Sequence, residues 1–309
     1  MKKTTTLFSI MLASALIVLS SCKKNNNEPS QNESELQTAV MQNAADQYRV
    51  ETDETSLSAI ANAVVEANPS FSISSGNTMD SSLIAGAIVD RSAITALLKK
   101  IKIIYSGVSV FGVTRTGKIT IELVNGNSWI ESGAELKIDV ESVKITYAGK
   151  SVTYNGTIYV TNVSGGLPFV SGSDSIIHKV RVNATVIFDN NTTLSWWAAR
   201  KNIYIKSSVT FASAGDTLVN GESCTMGGVN RYNINFLVKA PEPIISRLPC
   251  GFDKPVSGIR VFESDNRSAT IMFGVDANGS PNNSAGCAYG YKIEWSKWNG
   301  GTGTAVVSY

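Results

Sequence analysis

Leu136-Lys137-Ile138-Asp139-Val140-Glu141-Ser142-Val143-Lys144-Ile145-Thr146-Tyr147 decides the architecture, because its apolar residues recur at every second position. Leu136, Ile138 and Val140 alternate with Lys137, Asp139 and Glu141, the pattern of an antiparallel strand with one buried and one solvated face. Val143, Ile145 and Tyr147 then carry the apolar character on odd numbers. A slip of one residue turns an apolar face to water, so this change of parity predicts a β-bulge near Glu141-Ser142.

The same period extends in both directions. Upstream, Gly117-Lys118 opens Ile119, Ile121 and Leu123 against Thr120 and Glu122. Downstream, Ala148-Gly149 and Asn155-Gly156 bracket Val152 and Tyr154, and Asn-Gly is a strong hairpin signal. Val180, Val182, Ala184, Val186 and Phe188 follow, with a turn at Asp189-Asn190-Asn191, and further strands are expected at 194–197 and 203–205. Tyr232, Ile234, Phe236 and Val238 alternate up to Pro241 and Pro243, which argue against a central strand there. Residues 259–262 and 269–275, then Tyr289, Tyr291, Ile293 and Trp295, bring the count of alternating runs to about ten strands. No change of composition divides them. The expectation is a mainly β fold with one antiparallel domain over 101–309, either a β-sandwich or a long curved sheet.

Ahead of this domain the period is helical. Leu36, Val40, Met41, Ala44, Ala45 and Tyr48 share one face, as do Leu57, Ile60, Ala61, Val64 and Val65, and Asn68-Pro69 stops the run. Two short amphipathic helices are predicted within 33–69, covering the core of the larger domain. Residues 70–100 form a connecting segment, in which 82–99 reads ambiguously because Ile and Val weaken a helix. At the start of the chain, Lys2 and Lys3 precede an apolar run over 7–19, the layout of a secretory signal and too short to span a bilayer. Leu19-Ser20-Ser21-Cys22 closes it and resembles the lipobox of bacterial lipoproteins. That resemblance implies cleavage before Cys22, acylation of its thiol, and a mature protein held to the membrane by its lipid. Residues 1–21 are thus the expected signal peptide. Residues 22–32, with Lys23-Lys24-Asn25-Asn26-Asn27-Glu28-Pro29-Ser30, are an expected flexible tether.

Composition narrows the function. The net charge of +2 in 309 residues carries no nucleic-acid footprint, and only 17% of residues are charged, as suits an exported β-protein. With Cys22 lipidated, three of the four cysteines remain, so at most one bridge closes within a monomer. Cys250 with Cys287 is the favoured pairing, since each sits in a Gly/Pro-rich turn beside an expected strand.

Five motifs follow one another: Thr114-Arg115-Thr116-Gly117-Lys118-Ile119-Thr120-Ile121, Thr157-Ile158-Tyr159-Val160-Thr161-Asn162, Ser195-Trp196 before Arg200, Pro249-Cys250-Gly251-Phe252 leading to Ser257-Gly258, and Gly286-Cys287. In this order they resemble an uncharacterised β-rich group of Bacteroidota outer-membrane lipoproteins. The likeness covers roughly residues 100 to 295 and implies fold and address, with no activity to carry over. This chain has Val275-Asp276-Ala277-Asn278-Gly279-Ser280 where the group often has a Gly-Asp-Gly turn, and it lacks the group's earlier cysteine. An early acidic cluster in such proteins resembles a signal for export to the cell surface. Here the first charges are basic, so periplasmic and surface faces both stay open. Asp174-Ser175-Ile176 and Asp216-Thr217-Leu218 match a short pattern resembling Bacteroidota O-glycosylation acceptors, at Ser175 and Thr217.

Catalytic and metal chemistry find little footing. His178 is the one histidine of the chain, placed by sequence beside a turn with Asp174 and Ser175, where a solvated loop residue is expected. Three cysteines without a paired short spacing and one histidine make no tetrahedral zinc set. No phosphate-cradling glycine loop is present, and no cofactor is implied. Asp139, Glu141, Asp189, Asp216, Glu263 and Glu294 could supply a glycosidase pair, although their alternation fits solvated strand faces. Asp276-Ala277-Asn278-Gly279-Ser280 reads as a turn rather than a calcium loop. Trp196 and Trp197 point to opposite faces of any strand, and with Trp298 they form the candidate surface for a glycan or an envelope protein. The expectation is a lipid-anchored, non-enzymatic binding or structural protein of the outer membrane. The alternatives are a glycan hydrolase with a carboxylate pair, or an accessory subunit of an uptake or fimbrial system.

Overall fold

The computed structural model describes residues 31–309 except 69, 72–83, 85, 96–97, 111, 169–171, 252–253, 265–266, 283–285 and 297–301, and it describes the helical residues 31–41 and strand residue 267 by backbone alone. Among the described residues there is one α-helix, α1 (Gln31–Glu66), and one antiparallel sheet of fifteen strands. The strands are β1 (Ala87–Asp90), β2 (Lys100–Val110), β3 (Val113–Asn125), β4 (Ala134–Tyr147), β5 (Lys150–Asn162), β6 (Ser175–Phe188), β7 (Thr193–Ile205) and β8 (Thr210–Gly215). They continue with β9 (Thr217–Val219), β10 (Glu222–Val229), β11 (Asn235–Arg247), β12 (Ser257–Ser264), β13 (Arg267–Val275), β14 (Gly290–Ser296) and β15 (Thr302–Ser308). The fold is therefore mainly β and built as one long sheet rather than two stacked ones.

Each strand pairs with the next as a meander except in the middle. The first half of β7 pairs with β10 (Ala198 opposite Met226) and its second half with β8 (Arg200 opposite Gly215). On the far side, β11 pairs with β10 as far as Lys239 and with β8 from Ile244. Strands β8 and β10 thus share the space between β7 and β11, and a seam crosses the sheet where one hands over to the other.

The predicted bulge lies at Glu141-Ser142. The register of β4 shifts there against β5, between Val140 and Val143, and Ser142 has φ 49°. Gly117 of β3 faces the bulge with φ 102°, and a Cβ on it would come within 2.3 Å of the Ser142 carbonyl oxygen. Only glycine fits this approach. Asn155-Gly156 corrects the hairpin expectation, because both residues lie inside β5 and the turn is Ala148-Gly149 alone. Asn155 accepts hydrogen bonds from the bulged Ser142 amide at 2.8 Å and its hydroxyl at 3.3 Å. Asn-Gly here serves the bulge instead of a reversal.

The prolines are a second correction. Strand β11 runs through Pro241 and Pro243, with register shifts against β12 between Lys239 and Glu242 and between Glu242 and Ile245. These residues fall at the seam, between β11's pairing with β10 and its pairing with β8, where no ladder hydrogen bond is required of a proline nitrogen.

The helical segment is also different from expectation. One helix replaces two, because no glycine or proline interrupts 31–66 and Glu51-Thr52-Asp53-Glu54-Thr55 joins the two apolar runs. At a rise of 1.5 Å per residue it is about 54 Å long. Val50, Leu57, Ile60, Ala61, Val64 and Val65 share a core cluster with inner-face residues of β2 to β7, β10 and β11, while Ala44 joins Ala269, Ile271, Ile293 and Trp295 of β13 and β14. The exposed residues Ala45, Tyr48, Thr52, Thr55 and Ala59 form only a narrow stripe. The sheet therefore bends around the helix, which fills its concave face. Among the described residues strands β1 and β15 each pair on one side only, so these strands do not close the wrap into a barrel. Strand β1 lies in the segment expected to be a connection, and β2, β8, β9, β10 and β15 add to the runs counted from alternation.

Among the described residues no helix is long and apolar enough to cross a membrane.

Candidate functional site

Among the described residues the concave face is mostly apolar, and one polar tract crosses it. Alternation puts the even-numbered residues of β6 and β7 on it: Val180, Val182 and Val186, then Leu194, Trp196 and Ala198, all buried. The same parity carries His178, Arg200 and Asn202 inward. Register sets Asn162, His178, Asn202 and Ser213 side by side across β5, β6, β7 and β8. All four are buried, and a polar row thus crosses the floor beneath the helix.

Two fully buried arginines of this face sit at the seam. Arg200 lies where β7 passes from β10 to β8, and Arg260 lies on β12 opposite the proline-bulged part of β11. They are 2% and 3% exposed. Charges this deep need partners. The helix supplies them: Arg200 Nη1 lies 2.9 Å from Glu51, and its Nη2 pairs with Glu54. Arg260 is less well served. Its Nη2 is 3.9 Å from the same Glu51 carboxylate, and Nη1 has no hydrogen-bond partner among the described residues. Burial lowers the Arg260 pKa to about 10, Glu51 opposing the shift and Arg200 adding to it.

Beside these groups α1 leaves the sheet surface incompletely filled. A cavity of about 270 Å³ runs between Tyr48, Glu51, Thr52 and Thr55 of the helix and a floor that includes Arg200, Arg260, Ser213 and Ser246. Phe211, Ile244, Pro255 and Phe273 make its apolar wall. A second cavity of about 190 Å³ adjoins it through Thr55, Asn202 and Phe211 and reaches His178 and Tyr204. Together they form a groove along one flank of the helix. Tyr48, Thr52 and Thr55 are exposed, so the groove opens to solvent beside them.

Buried polar atoms without a hydrogen-bond partner among the described residues collect along this groove: Arg260 Nη1, Arg200 Nη1, Glu54 Oε2, Ser213 Oγ, Asn202 Oδ1, Asn62 Oδ1 and both ring nitrogens of His178. Such groups ordinarily are hydrogen-bonded, to protein, water or ligand. His178 corrects the expectation of a loop residue. It is fully buried in β6, its ring 5.3 Å from those of Trp129 and Tyr204, and burial lowers its pKa to about 4. It is neutral at physiological pH, and neither ring nitrogen is hydrogen-bonded to a carboxylate among the described residues.

Elsewhere the helix is held by a basic lining on the sheet. Arg231 meets Asp46 at 2.5 Å, the Tyr154 hydroxyl donates to Asp53 at 2.9 Å, and Arg115 donates to Ser56 at 3.3 Å. Below the helix C-terminus, the Trp129 amide and Ser128 hydroxyl both donate to the Phe71 carbonyl, closing that end.

The residues singled out by sequence are scattered. Trp196 is buried on the inner face and Trp197 half-buried on the outer, so they are no joint surface; Trp298 and Cys22 lie outside the described residues. Tyr291, Ile293 and Trp295 belong to the inner-face packing around Ala44. Of the strand carboxylates, Asp139, Glu141, Asp216, Glu263 and Glu294 each pair with a lysine, respectively Lys137, Lys118, Lys179, Lys239 and Lys292. Asp189 is exposed in the turn after β6. None of the six lines the groove. Ser175 is exposed at the start of β6 and Thr217 is half-buried in β9. Cys250 and Cys287 form a disulfide, and Cys224 is a buried free thiol. Asp276 accepts the amides of Asn278 and Ser280 in a plain turn, and no metal-holding cluster occurs among the described residues.

Arg200 and Arg260, the charged floor of the groove, were the residues that motif reading missed. Arg200 carried a parity signal, following Leu194, Trp196 and Ala198 on the apolar face of β7, whereas Arg260 stands between Ile259 and Val261 and carried none. Comparison with protein-family models, curated proteins and solved structures finds no match to this chain.

Proposed function

We propose that this chain is a lipid-anchored cell-envelope protein, tethered to the outer membrane through Cys22, whose folded part is a binding module. The groove beside α1 is the binding site. One observation carries the reading: an opening lined by apolar walls also gathers buried polar atoms that the protein does not itself satisfy. Concave sites of this kind, mostly apolar with a few converging polar groups, are where small molecules bind. The lipobox at Leu19-Ser20-Ser21-Cys22 supports the anchor, and the low charge with the β architecture supports the envelope setting.

The test is a fragment screen by thermal shift on the full chain in mild detergent, repeated on Thr55→Trp. Thr55 lines both cavities and is exposed, so an indole there fills the groove at little cost to the core. Hits that stabilise the parent chain and are lost with Thr55→Trp support the reading. Hits that persist unchanged in the variant place binding elsewhere and overturn it.

A further inference from the structure

The groove's chemistry specifies its ligand more closely. We propose that it binds a monocarboxylate with a compact apolar body of about ten non-hydrogen atoms, the carboxylate received by Arg260. This assignment rests on the groove being a binding site.

Three observations converge on it. Arg260 is 3% exposed, lines the cavity, has its nearest carboxylate at 3.9 Å and keeps Nη1 without a hydrogen-bond partner among the described residues, whereas Arg200, whose Nη1 also makes no hydrogen bond, is ion-paired with Glu51 at 2.9 Å and with Glu54. A guanidinium matches a planar carboxylate through charge-assisted hydrogen bonds. Ser213 adds a buried hydroxyl on the same floor, also without a partner. Beyond this polar end, Phe211, Ile244, Pro255 and Phe273 offer only apolar surface. Size follows from volume. A cavity of about 150 Å³ holds benzene, so about 270 Å³ holds roughly ten to eleven heavy atoms.

Charge selects one negative charge over two. Arg200 and Arg260 are already balanced by Glu51 and Glu54, so an entering dianion would leave two uncompensated charges at a buried floor. A monoanion leaves one, and Glu51 can relieve it. Its side chain is 29% exposed and lies 3.9 Å from Arg260 and 2.9 Å from Arg200, so it can turn toward solvent as the ligand's carboxylate takes its place, Arg200 keeping Glu54. Glu51 is thus a competitor for Arg260, and the ligand's affinity is set against it.

Octanoate and 3-phenylpropionate have the right size and charge; 1-octanol and octylamine are the matched neutral and cationic controls. Calorimetric titration of the full chain is expected to show binding of both carboxylates, with octanol at least about tenfold weaker and octylamine without effect. Arg260→Met should lose at least about tenfold for octanoate. Glu51→Gln should bind octanoate several-fold more tightly. That gain decides the matter if Arg260→Met does not fold. Equal binding of octanol and octanoate, undiminished binding by folded Arg260→Met, or no tightening with Glu51→Gln overturns the assignment. If neither carboxylate binds while the screen still yields ligands blocked by Thr55→Trp, the carboxylate class falls and the binding site stands. If the screen is also empty, both fall.

Discussion

Replacing Glu54 with glutamine removes one negative charge from the helix and leaves Arg200 beneath it. The side chains of Glu54 and Arg200 are 2% and 3% exposed, so water cannot take over the lost interaction. Glutamine keeps the volume and can still accept the Ser58 hydroxyl, now bonded to Glu54 at 2.8 Å. The change therefore isolates charge. Breaking a buried pair by removing one partner costs about 3–5 kcal/mol, and the remaining contact of Arg200 with Glu51 at 2.9 Å places this case near the lower end, about 3 kcal/mol. Against a total stability of roughly 5–15 kcal/mol that is a large fraction. It corresponds to a fall in melting temperature of about 6–12 °C. Urea unfolding followed by circular dichroism and tryptophan fluorescence gives the number. The decisive comparison is the cycle of Glu54→Leu, Arg200→Met and the double variant. Exchanging both partners for apolar residues of similar shape is often near neutral, so the double variant should recover most of what either single variant loses. A loss under about 0.5 kcal/mol for Glu54→Gln, or additive losses in the double variant, would refute the claim that this pair holds the helix to the sheet.

His178 stays neutral in the fold down to about pH 4, whereas the unfolded chain takes up a proton near 6.5. Its contribution is complete above pH 6.5 and is lost as pH falls toward 4, about 3 kcal/mol in all, and His178→Phe should flatten this acid limb in urea midpoints measured from pH 4 to 8. Glu66 has the opposite sign: burial raises its pKa from 4.5 to about 7, so the fold holds a proton that the unfolded chain releases and stability declines as pH rises through 7. Glu66→Gln should match the parent at pH 4 and exceed it by about 3 kcal/mol at pH 8; equal stability at both ends would contradict this placement. Cys22→Ala should abolish acylation, and acyl chains found on that variant by mass spectrometry would dismiss the lipobox reading. The Cys250–Cys287 bridge spans 37 residues, which corresponds to about 4 kcal/mol of chain entropy, so Cys287→Ser should lower stability by about 3–4 kcal/mol, and a silent substitution would show that the loop is already constrained without it.

Much of the sheet was legible because alternation is a local property. The parity change at Glu141-Ser142 announced the bulge, and Asp189-Asn190-Asn191 announced its turn, with Asn191 at φ 61°. Asn155-Gly156 misled because a dipeptide that favours reversals can also serve a neighbouring strand's irregularity, and that neighbour is known only once register is known. Pro241 and Pro243 misled for a related reason: whether a strand position needs its amide depends on which partner stands beside it, and here the partner changes. The helix was seen as two pieces because Glu51 and Glu54 fall on the face that apolar residues should occupy. Their partners, Arg200 and Arg260, are far away in the chain, so the sequence shows two anomalies and the structure shows one set of ion pairs. The groove was illegible, being a space between elements rather than a motif in one.

The position of α1 also has a consequence for assembly. Nearly every ladder in the sheet joins strands adjacent in sequence, so each can form soon after its two strands have been made. The helix is different: Asp46 waits for Arg231, 185 residues later, and Ala44 waits for Trp295. The segment synthesised first thus acquires its last neighbours nearly at the end of the chain. Until then the N-terminal part of the helix lacks its surroundings, while Val50, Leu57, Ile60, Ala61, Val64 and Val65 already have most of theirs on β2 to β7.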